Sequence, residues 1–307
     1  MNYRFGSYPT MITPYTPAKE VDYATAEKYV EWYAKNGCDG IFAVCQSSEI
    51  AYLTLEERVK LNGLVYKAAK SYGLTVVSSG HVAHSIDAQA DELCRIADSG
   101  TDALILITNR LDPENLGDDE WIKNAEALLK KLPPDINLGL YECPMPYKRL
   151  VTDRILKWCL ETGRFYFMKD TCCDMNVIEK RMELLHGSHF ALLNANCQTL
   201  LSSLRCGGKG YCGIMANFHP KLYAWLCKNY ESEPQKAELV QSVIGTFGFT
   251  EVGLPYPLTA KYHMNLCGIP TEVISRNRLA TELTRYGREC MEQMKLATDR
   301  LEGMLGI

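Results

Sequence analysis

Short apolar or β-branched runs alternate along this chain with longer stretches whose apolar positions recur every three to four residues, at a spacing of about 25 to 30 residues. The runs near Thr10–Thr13, Gly40–Val44, Thr75–Ser79, Ala103–Ile107, Leu138–Tyr141, Phe165–Lys169, Phe190–Asn194 and Gly210–Ile214 read as strands, and each precedes a plausible helix. Thr54 with Glu57 makes a capping box at the start of one helix. Another, apolar at Ala90, Leu93, Cys94 and Ala97, stops at Gly100. Consecutive strand–helix units with no cue for a reversal of strand order predict an α/β fold of the closed (β/α)8 TIM-barrel type rather than a doubly wound sheet. After about residue 229 the pattern turns wholly helical, with a long helix expected from Arg276 to Leu305. The expected organisation is a barrel over residues 1–229 carrying the active site and a helical extension over 230–307 packed on it. No low-complexity linker divides them.

With 307 residues and 47% hydrophobic content, the chain can bury one large core. A net charge of −4 and the lack of basic runs exclude nucleic acid and anionic membrane as expected partners, leaving small molecules. The start MNYRFGSYPTMITPY has no basic stretch followed by an apolar one, and no apolar run approaches a membrane span, so a cytoplasmic location is expected. The thirteen cysteines are odd in number and include no CxxC; Cys172 and Cys173 are adjacent. They read as reduced thiols, with Cys38, Cys94, Cys159, Cys227 and Cys290 acting as small hydrophobes in helical patterns. Neither a metal nor another cofactor is expected.

The chemistry centres on Lys169, which ends the apolar run Phe165–Met168 and so carries an amine at the tip of a buried strand. Loss of hydration there favours a neutral, nucleophilic amine able to form a Schiff base. Taken alone, such a lysine can equally reach solvent or pair with Asp170. In a (β/α)8 barrel, however, reacting groups project from the C-terminal strand ends, and those ends here also carry Tyr141, the loop Cys45–Glu49, and Gly213 with Ile214. A phenol can pass protons to a carbinolamine, and Ser47 and Ser48 with loop N–H groups can hold a carboxylate. Together they suit a 2-oxo acid. His81 and His84 read as loop or substrate contacts without a third metal ligand, Gly207–Gly210 as a tight turn rather than a phosphate loop, and Asn217 as a helix N-cap.

These residues carry a resemblance. The segment SSEIAYLTLEERVKL, the Tyr-x-x-Pro of Tyr141 and Pro144, the Lys169-Asp170-Thr171 run and GGKGYCGIMANFHP resemble, in order and spacing, the dihydrodipicolinate synthase and N-acetylneuraminate lyase family of Schiff-base pyruvate aldolases. The resemblance implies a barrel with a C-terminal helical extension, a homotetramer, Lys169 as the imine-forming residue and Tyr141 as the proton-transfer residue. It also implies that Ser47, with Ser48, Gln46, Thr171, Gly213 and Ile214 around it, binds the 2-oxo acid. Three departures accompany it. Gln46 stands where a hydroxyl normally relays protons to the tyrosine; Thr108-Asn109-Arg110 stands where a tyrosine pair reaches a neighbouring subunit; and Pro146 replaces the arginine with which true synthases hold their aldehyde's carboxylate. Lys148 or Arg149 could stand in for that arginine only if the loop moved. Arg110 and Glu142 are the candidate replacements for substrate contacts, although strand alternation points Glu142 away from Tyr141.

The expected function is cleavage or condensation of pyruvate with an aldehyde, or dehydration of a 2-keto-3-deoxy sugar acid. The alternatives are a 4-hydroxy-tetrahydrodipicolinate synthase, ranked lower for want of the arginine, and a non-catalytic homologue that senses a 2-oxo acid.

Overall fold

In the computed structural model, which describes residues 4–251 and 253–307, seven parallel strands form one curled sheet. They are β1 (Gly40–Phe42), β2 (Thr75–Ser78), β3 (Ala103–Ile107), β4 (Leu138–Tyr141), β5 (Phe165–Asp170), β6 (Ala191–Asn194) and β7 (Gly210–Tyr211), each paired with the next in chain order. Residues 6–11 span the gap between β7 and β1. Ser7 bridges Tyr211 and Thr10 bridges Phe42, with Tyr8 N–H donating to Tyr211 O at 2.8 Å and Met11 N–H to Phe42 O at 3.0 Å. The architecture is TIM-barrel-like.

The first strand expected from sequence, Thr10–Thr13, is therefore an interrupted pairing that begins several residues earlier. Pro9 explains the interruption, since it has no N–H to give and takes part only by accepting from Phe42 N–H at 3.0 Å. On the β7 side, Gly210 has φ +157°, and a Cβ there would lie 2.0 Å from the Gly6 carbonyl oxygen. Only glycine lets the two backbones meet at this point.

Helices α1 (Tyr23–Lys35), α2 (Leu55–Ser71), α3 (Ile86–Ser99), α4 (Asp118–Leu129), α5 (Asp153–Thr162), α6 (Met175–Leu185), α7 (Leu200–Arg205) and α8 (Pro220–Asn229) follow the N-terminal segment and the seven strands in turn. The capping box is formed: Thr54 Oγ1 accepts from Glu57 N–H at 3.1 Å, and Glu57 Oε2 accepts from Thr54 N–H at 2.9 Å. Strand alternation sorts the core. Ala103, Ile105 and Ile107 join Phe42, Val77, Phe167 and Leu193 in a cluster made almost wholly of strand and strand-end residues, the barrel interior. Leu104, Leu106, Leu140 and Met168 face outward onto apolar residues of α3 to α6, among them Leu93, Trp121, Leu156 and Ile178.

Three further helices follow: α9 (Pro234–Glu251), α10 (Leu258–Leu266) and α11 (Arg285–Leu305). The helix expected from Arg276 starts nine residues later, where Thr284 caps it by accepting from Gly287 N–H at 3.4 Å. The intervening amides are taken by other partners. Arg276 and Asn277 N–H groups donate to Glu49 Oε1 at 2.8 and 3.2 Å, a partner on the far side of the sequence that no local pattern reveals. No helix among the described residues is long and apolar enough to cross a membrane.

Three buried histidines each lower stability in acid. Burial lowers His219 and His263 to about 3 and His81 to about 4, and neither ring nitrogen of His219 has a hydrogen-bond partner. All three are neutral in the folded chain down to those values, whereas the unfolded chain protonates them near 6.5. At these three sites the unfolded state thus binds more protons in between, and their contribution to stability falls as pH drops from 6.5 towards 4. Glu251, raised to about 7 by burial, works in the opposite sense, as do Asp39, Glu142 and Glu302, whose carboxyls burial also raises. Replacing His219, which stacks on Tyr223 and packs against Phe247, by phenylalanine keeps the ring contacts. His219→Phe is expected to reduce the loss of stability between pH 6.5 and 4.5 by about 1.4 kcal/mol per pH unit, read from urea midpoints. An unchanged pH slope contradicts this.

Candidate active site

Tyr141 and Lys169 stand opposite one another in the β4–β5 register, both at the C-terminal end of the sheet. Lys169 is 4% exposed, its Nζ lying 4.3 Å from the centre of the Tyr141 ring and 5.7 Å from that of Phe42. Phe42 in turn meets Tyr141 edge-on at 5.6 Å. Alternation along β5 sends Asp170 the other way, where it pairs with Arg181 of α6. The alternative of a Lys169–Asp170 pair is thereby removed. Three thiols, Cys45, Cys143 and Cys212, share the chamber. Burial raises Cys143 and pushes Cys212 up to about 12, with Lys169 acting against both. Burial, then the neighbouring Cys143 and Cys45, holds the Tyr141 phenol well above its ordinary range, so it enters any reaction protonated.

The loop after β1 forms a 3₁₀ turn, Gln46–Ser48, followed by Glu49 at φ +59°. Ser47 Oγ donates to Thr10 Oγ1 at 3.0 Å, and the Tyr256 hydroxyl lies against both while accepting from Asn217 Nδ2 at 3.1 Å. These hydroxyls gather at the barrel mouth. Ser48 is different: its Oγ donates towards Met11 O and Ala43 O at 2.7 and 2.8 Å and accepts from Cys45 N–H at 3.1 Å. Fully engaged with backbone and 0% exposed, it shapes the loop and does not offer its hydroxyl to a ligand. Gln46 is half-buried, with its Oε1 3.9 Å from Cys143 Sγ, which donates to it.

Glu49 ties this loop to the C-terminal helices. Its carboxylate accepts from Lys261 Nζ at 3.1 Å and Ser275 Oγ at 2.5 Å besides the two amides. Lys261 also lies 4.3 Å over the Tyr15 ring; burial lowers it to about 8 against the pull of Glu49. Glu49→Ala leaves that ammonium buried without its carboxylate. The expected loss is about 3 kcal/mol in denaturant unfolding; a loss below about 1 kcal/mol contradicts the assigned role.

The remaining sequence candidates divide. Gly213 begins the 3₁₀ turn Ile214–Asn217, and a Cβ on it would lie 2.3 Å from the Tyr211 hydroxyl. Ile214 is only partly buried, beside the core. Thr171 is occupied by Glu142: its N–H donates to Glu142 Oε2 at 2.9 Å and its hydroxyl to Glu142 O at 2.7 Å. Glu142 itself, the residue after β4, is 0% exposed and bound by Arg181 Nη2 at 2.6 Å and Val151 N–H at 2.7 Å. It is a packing carboxylate between barrel and helices and does not face the chamber, as the alternation rule anticipated. Arg110 lies in the turn after β3 with a buried Nε that has no hydrogen-bond partner. His81 is structural, its Nε2 accepting from Ile107 N–H at 2.8 Å, and His84 is exposed. Asn217 caps nothing; its Nδ2 donates to Thr10 O at 2.9 Å and Ile214 O at 3.0 Å. Neither basic residue after Pro146 is available to a substrate. Lys148 Nζ donates to Thr171 O at 2.8 Å, and Arg149 bonds Asp112 and Asp118 at 3.2 and 2.7 Å.

The sequence signature of the Dihydrodipicolinate synthetase family matches residues 4–296. The chain belongs to that family. The resemblance carried by the Tyr-x-x-Pro and Lys-Asp-Thr segments is thus borne out over nearly the whole length. Among relatives, the 4-hydroxy-tetrahydrodipicolinate synthase of Methanocaldococcus jannaschii is 26% identical over 272 residues, covering 86% of this chain and 89% of that one. The fold is shared with a sialic acid aldolase of Ruminococcus gnavus, a catalytic lysine mutant (TM-score 0.86, 15% identity, 98% and 97% of the two chains). It is shared too with a prophage protein of Escherichia coli K12 from the dihydrodipicolinic acid synthase family, solved with pyruvate (TM-score 0.84, 18% identity, 97% and 98%). Within the family member described here, sequence reasoning missed Cys143 and Tyr256. Cys143 had a signal, the two-residue alternation from Tyr141. Tyr256 had none, as it arrives from the turn between α9 and α10.

Proposed function

We propose that the protein is a Schiff-base-forming lyase or aldolase whose substrate is pyruvate or a sugar-derived 2-oxo acid. The observation that carries this reading is Lys169 Nζ, buried in the barrel, over the Tyr141 ring at 4.3 Å. Lys169 Nζ adds to the 2-oxo carbon, its proton passing to the oxygen, to give a carbinolamine. Tyr141 donates the proton with which the carbinolamine oxygen leaves as water, and an iminium remains. The Tyr141 phenolate left by that step takes a C3 proton, or takes the C4 hydroxyl proton as the C3–C4 bond of a larger substrate breaks and an aldehyde departs, and the electron pair passes to the iminium to form an enamine. Protonation of the enamine at C3, or its attack on an aldehyde, restores the iminium, and addition of one water then frees the product and the amine. Ser47, with Thr10 and the Tyr256 hydroxyl beside it, holds the carboxylate.

The partner substrate differs from that of the synthase reaction. Relatives carry the synthase name at 26% identity, yet Pro146 replaces the arginine of true synthases, and Lys148 and Arg149 are engaged elsewhere. A carboxylated aldehyde therefore has no cation waiting in that loop, which favours an uncharged or hydroxylated partner. Pyruvate release from sialic acids and 2-keto-3-deoxy sugar acids, with condensation of pyruvate and aspartate semialdehyde run alongside, tests the choice. Release from a sugar acid with negligible condensation is expected; efficient condensation alone contradicts the assignment. Gln46 favours a second reading, a 2-oxo-acid sensor, because an amide carries protons poorly. Adduct at Lys169 without turnover across the panel would select it.

A further inference from the structure

Asn217 is 0% exposed and ends the 3₁₀ turn after β7, where its amide ties together α1, the N-terminal segment and the turn between α9 and α10. Its Nδ2 donates to Thr10 O at 2.9 Å, Ile214 O at 3.0 Å and the Tyr256 hydroxyl at 3.1 Å, and its Oδ1 accepts from the Tyr33 hydroxyl at 2.6 Å. The two carbonyls decide which way the amide faces, because a carbonyl can only accept and so must meet the NH₂ end. Tyr256 lies on that same end. An amide NH₂ only donates, so the Tyr256 oxygen is the acceptor there and its own O–H points away from Asn217. Thr10 joins this arrangement to the barrel. Its carbonyl shares the amide with Tyr256, its Oγ1 takes the Ser47 proton at 3.0 Å, and it bridges Phe42, whose ring centre is 5.7 Å from Lys169 Nζ.

Resting on the Schiff-base reading, we propose that Asn217 is a positioning residue that makes Tyr256 an obligate donor to the carboxylate of the 2-oxo acid, so that this phenol selects the ionised acid over its neutral analogues. Ser47 and Tyr256 differ in what they offer. Ser47 gives its proton to Thr10, whereas Tyr256, whose oxygen already accepts from Asn217, has its proton to give. A hydrogen bond to a carboxylate is charge-assisted and about twice as strong as one to a neutral oxygen, so the phenol discriminates by charge. The effect falls on binding and leaves the chemistry at Lys169 alone. Without the amide, the carbonyls of Thr10 and Ile214 lose a donor, and the Tyr256 O–H turns to one of them instead of to the ligand.

Borohydride trapping at Lys169 as a function of ligand concentration, with pyruvate and its neutral methyl ester as the two probes, tests this. Tyr256→Phe keeps the ring and removes the donor. It is expected to raise the pyruvate half-saturation about tenfold, with the ester's half-saturation and both limiting yields within about twofold of wild type. Asn217→Ala, assayed below its own melting temperature, is expected to show the same loss for pyruvate alone. The Asn217→Ala/Tyr256→Phe double variant is expected to lose nothing further, because the amide acts through the phenol. A merely structural role for Asn217 would weaken both ligands and add to the Tyr256→Phe effect. Equal pyruvate half-saturation in wild type and Tyr256→Phe overturns the inference whether or not Asn217→Ala folds, as does a double variant in which the two losses add; the Schiff-base reading survives either result. A wild-type protein that forms no adduct at Lys169 overturns both.

Discussion

Lys169→Ala is expected to abolish borohydride-trapped adduct with pyruvate and to lower kcat/KM by about 10⁴-fold or more, because no neighbouring group can replace an imine-forming amine. The chamber around it holds thiols, rings and a phenol. Lys261, the other deeply buried lysine, is committed to Glu49 and to the Ile274 carbonyl. Tyr141→Phe makes the informative contrast. It keeps the ring beneath Nζ and removes only the phenolic proton, so adduct should still form while turnover falls about 10²- to 10⁴-fold. Single-turnover trapping and steady-state kinetics on the two variants check both statements. An alanine variant that still labels at another lysine would contradict the assignment of Lys169.

Arg181→Met is expected to produce the largest stability loss of any single substitution proposed for this chain. Arg181 is 2% exposed and pairs with Glu142 and Asp170 on the outer face of adjacent strands while donating to Val151 O at 2.7 Å. Burial alone would lower it; the two carboxylates outweigh that and hold it charged. Methionine fills the volume and leaves two carboxylates facing each other without a cation, in a site where burial and the Asp170 charge already push Glu142 upward. The expected cost is about 5 kcal/mol, or a melting temperature lower by about 10 °C. Because Asp170 directly follows Lys169 on β5, activity should fall along with stability. A variant that melts within about 2 °C of wild type would contradict the account.

What was legible in the sequence follows from what is local. The seven strands lie where apolar runs end in chemistry-bearing residues, and period-two alternation separates Lys169 from Asp170 and Tyr141 from Glu142. The capping box of Thr54 and Glu57 is equally local. The misreadings involve distant partners. The first strand is interrupted at Pro9 and completed by Tyr211 and Phe42, neither of them visible from its own composition. Residues 276–284 have a helical pattern, but the amides of Arg276, Asn277 and Leu279 answer to Glu49 and Glu282, and only a 3₁₀ turn forms at Ala280–Glu282. Ser48 and Thr171 look like ligand hydroxyls until their backbone partners are seen. Tyr256 reaches Ser47 and Thr10 only because the turn after α9 brings it there, a placement that no motif encodes.

Incubation with pyruvate and borohydride, followed by peptide mass mapping, tests the central claim most directly. The account predicts a single reduced adduct on the peptide containing Lys169. No adduct, or one on an exposed lysine with Lys169 unmodified, would contradict it.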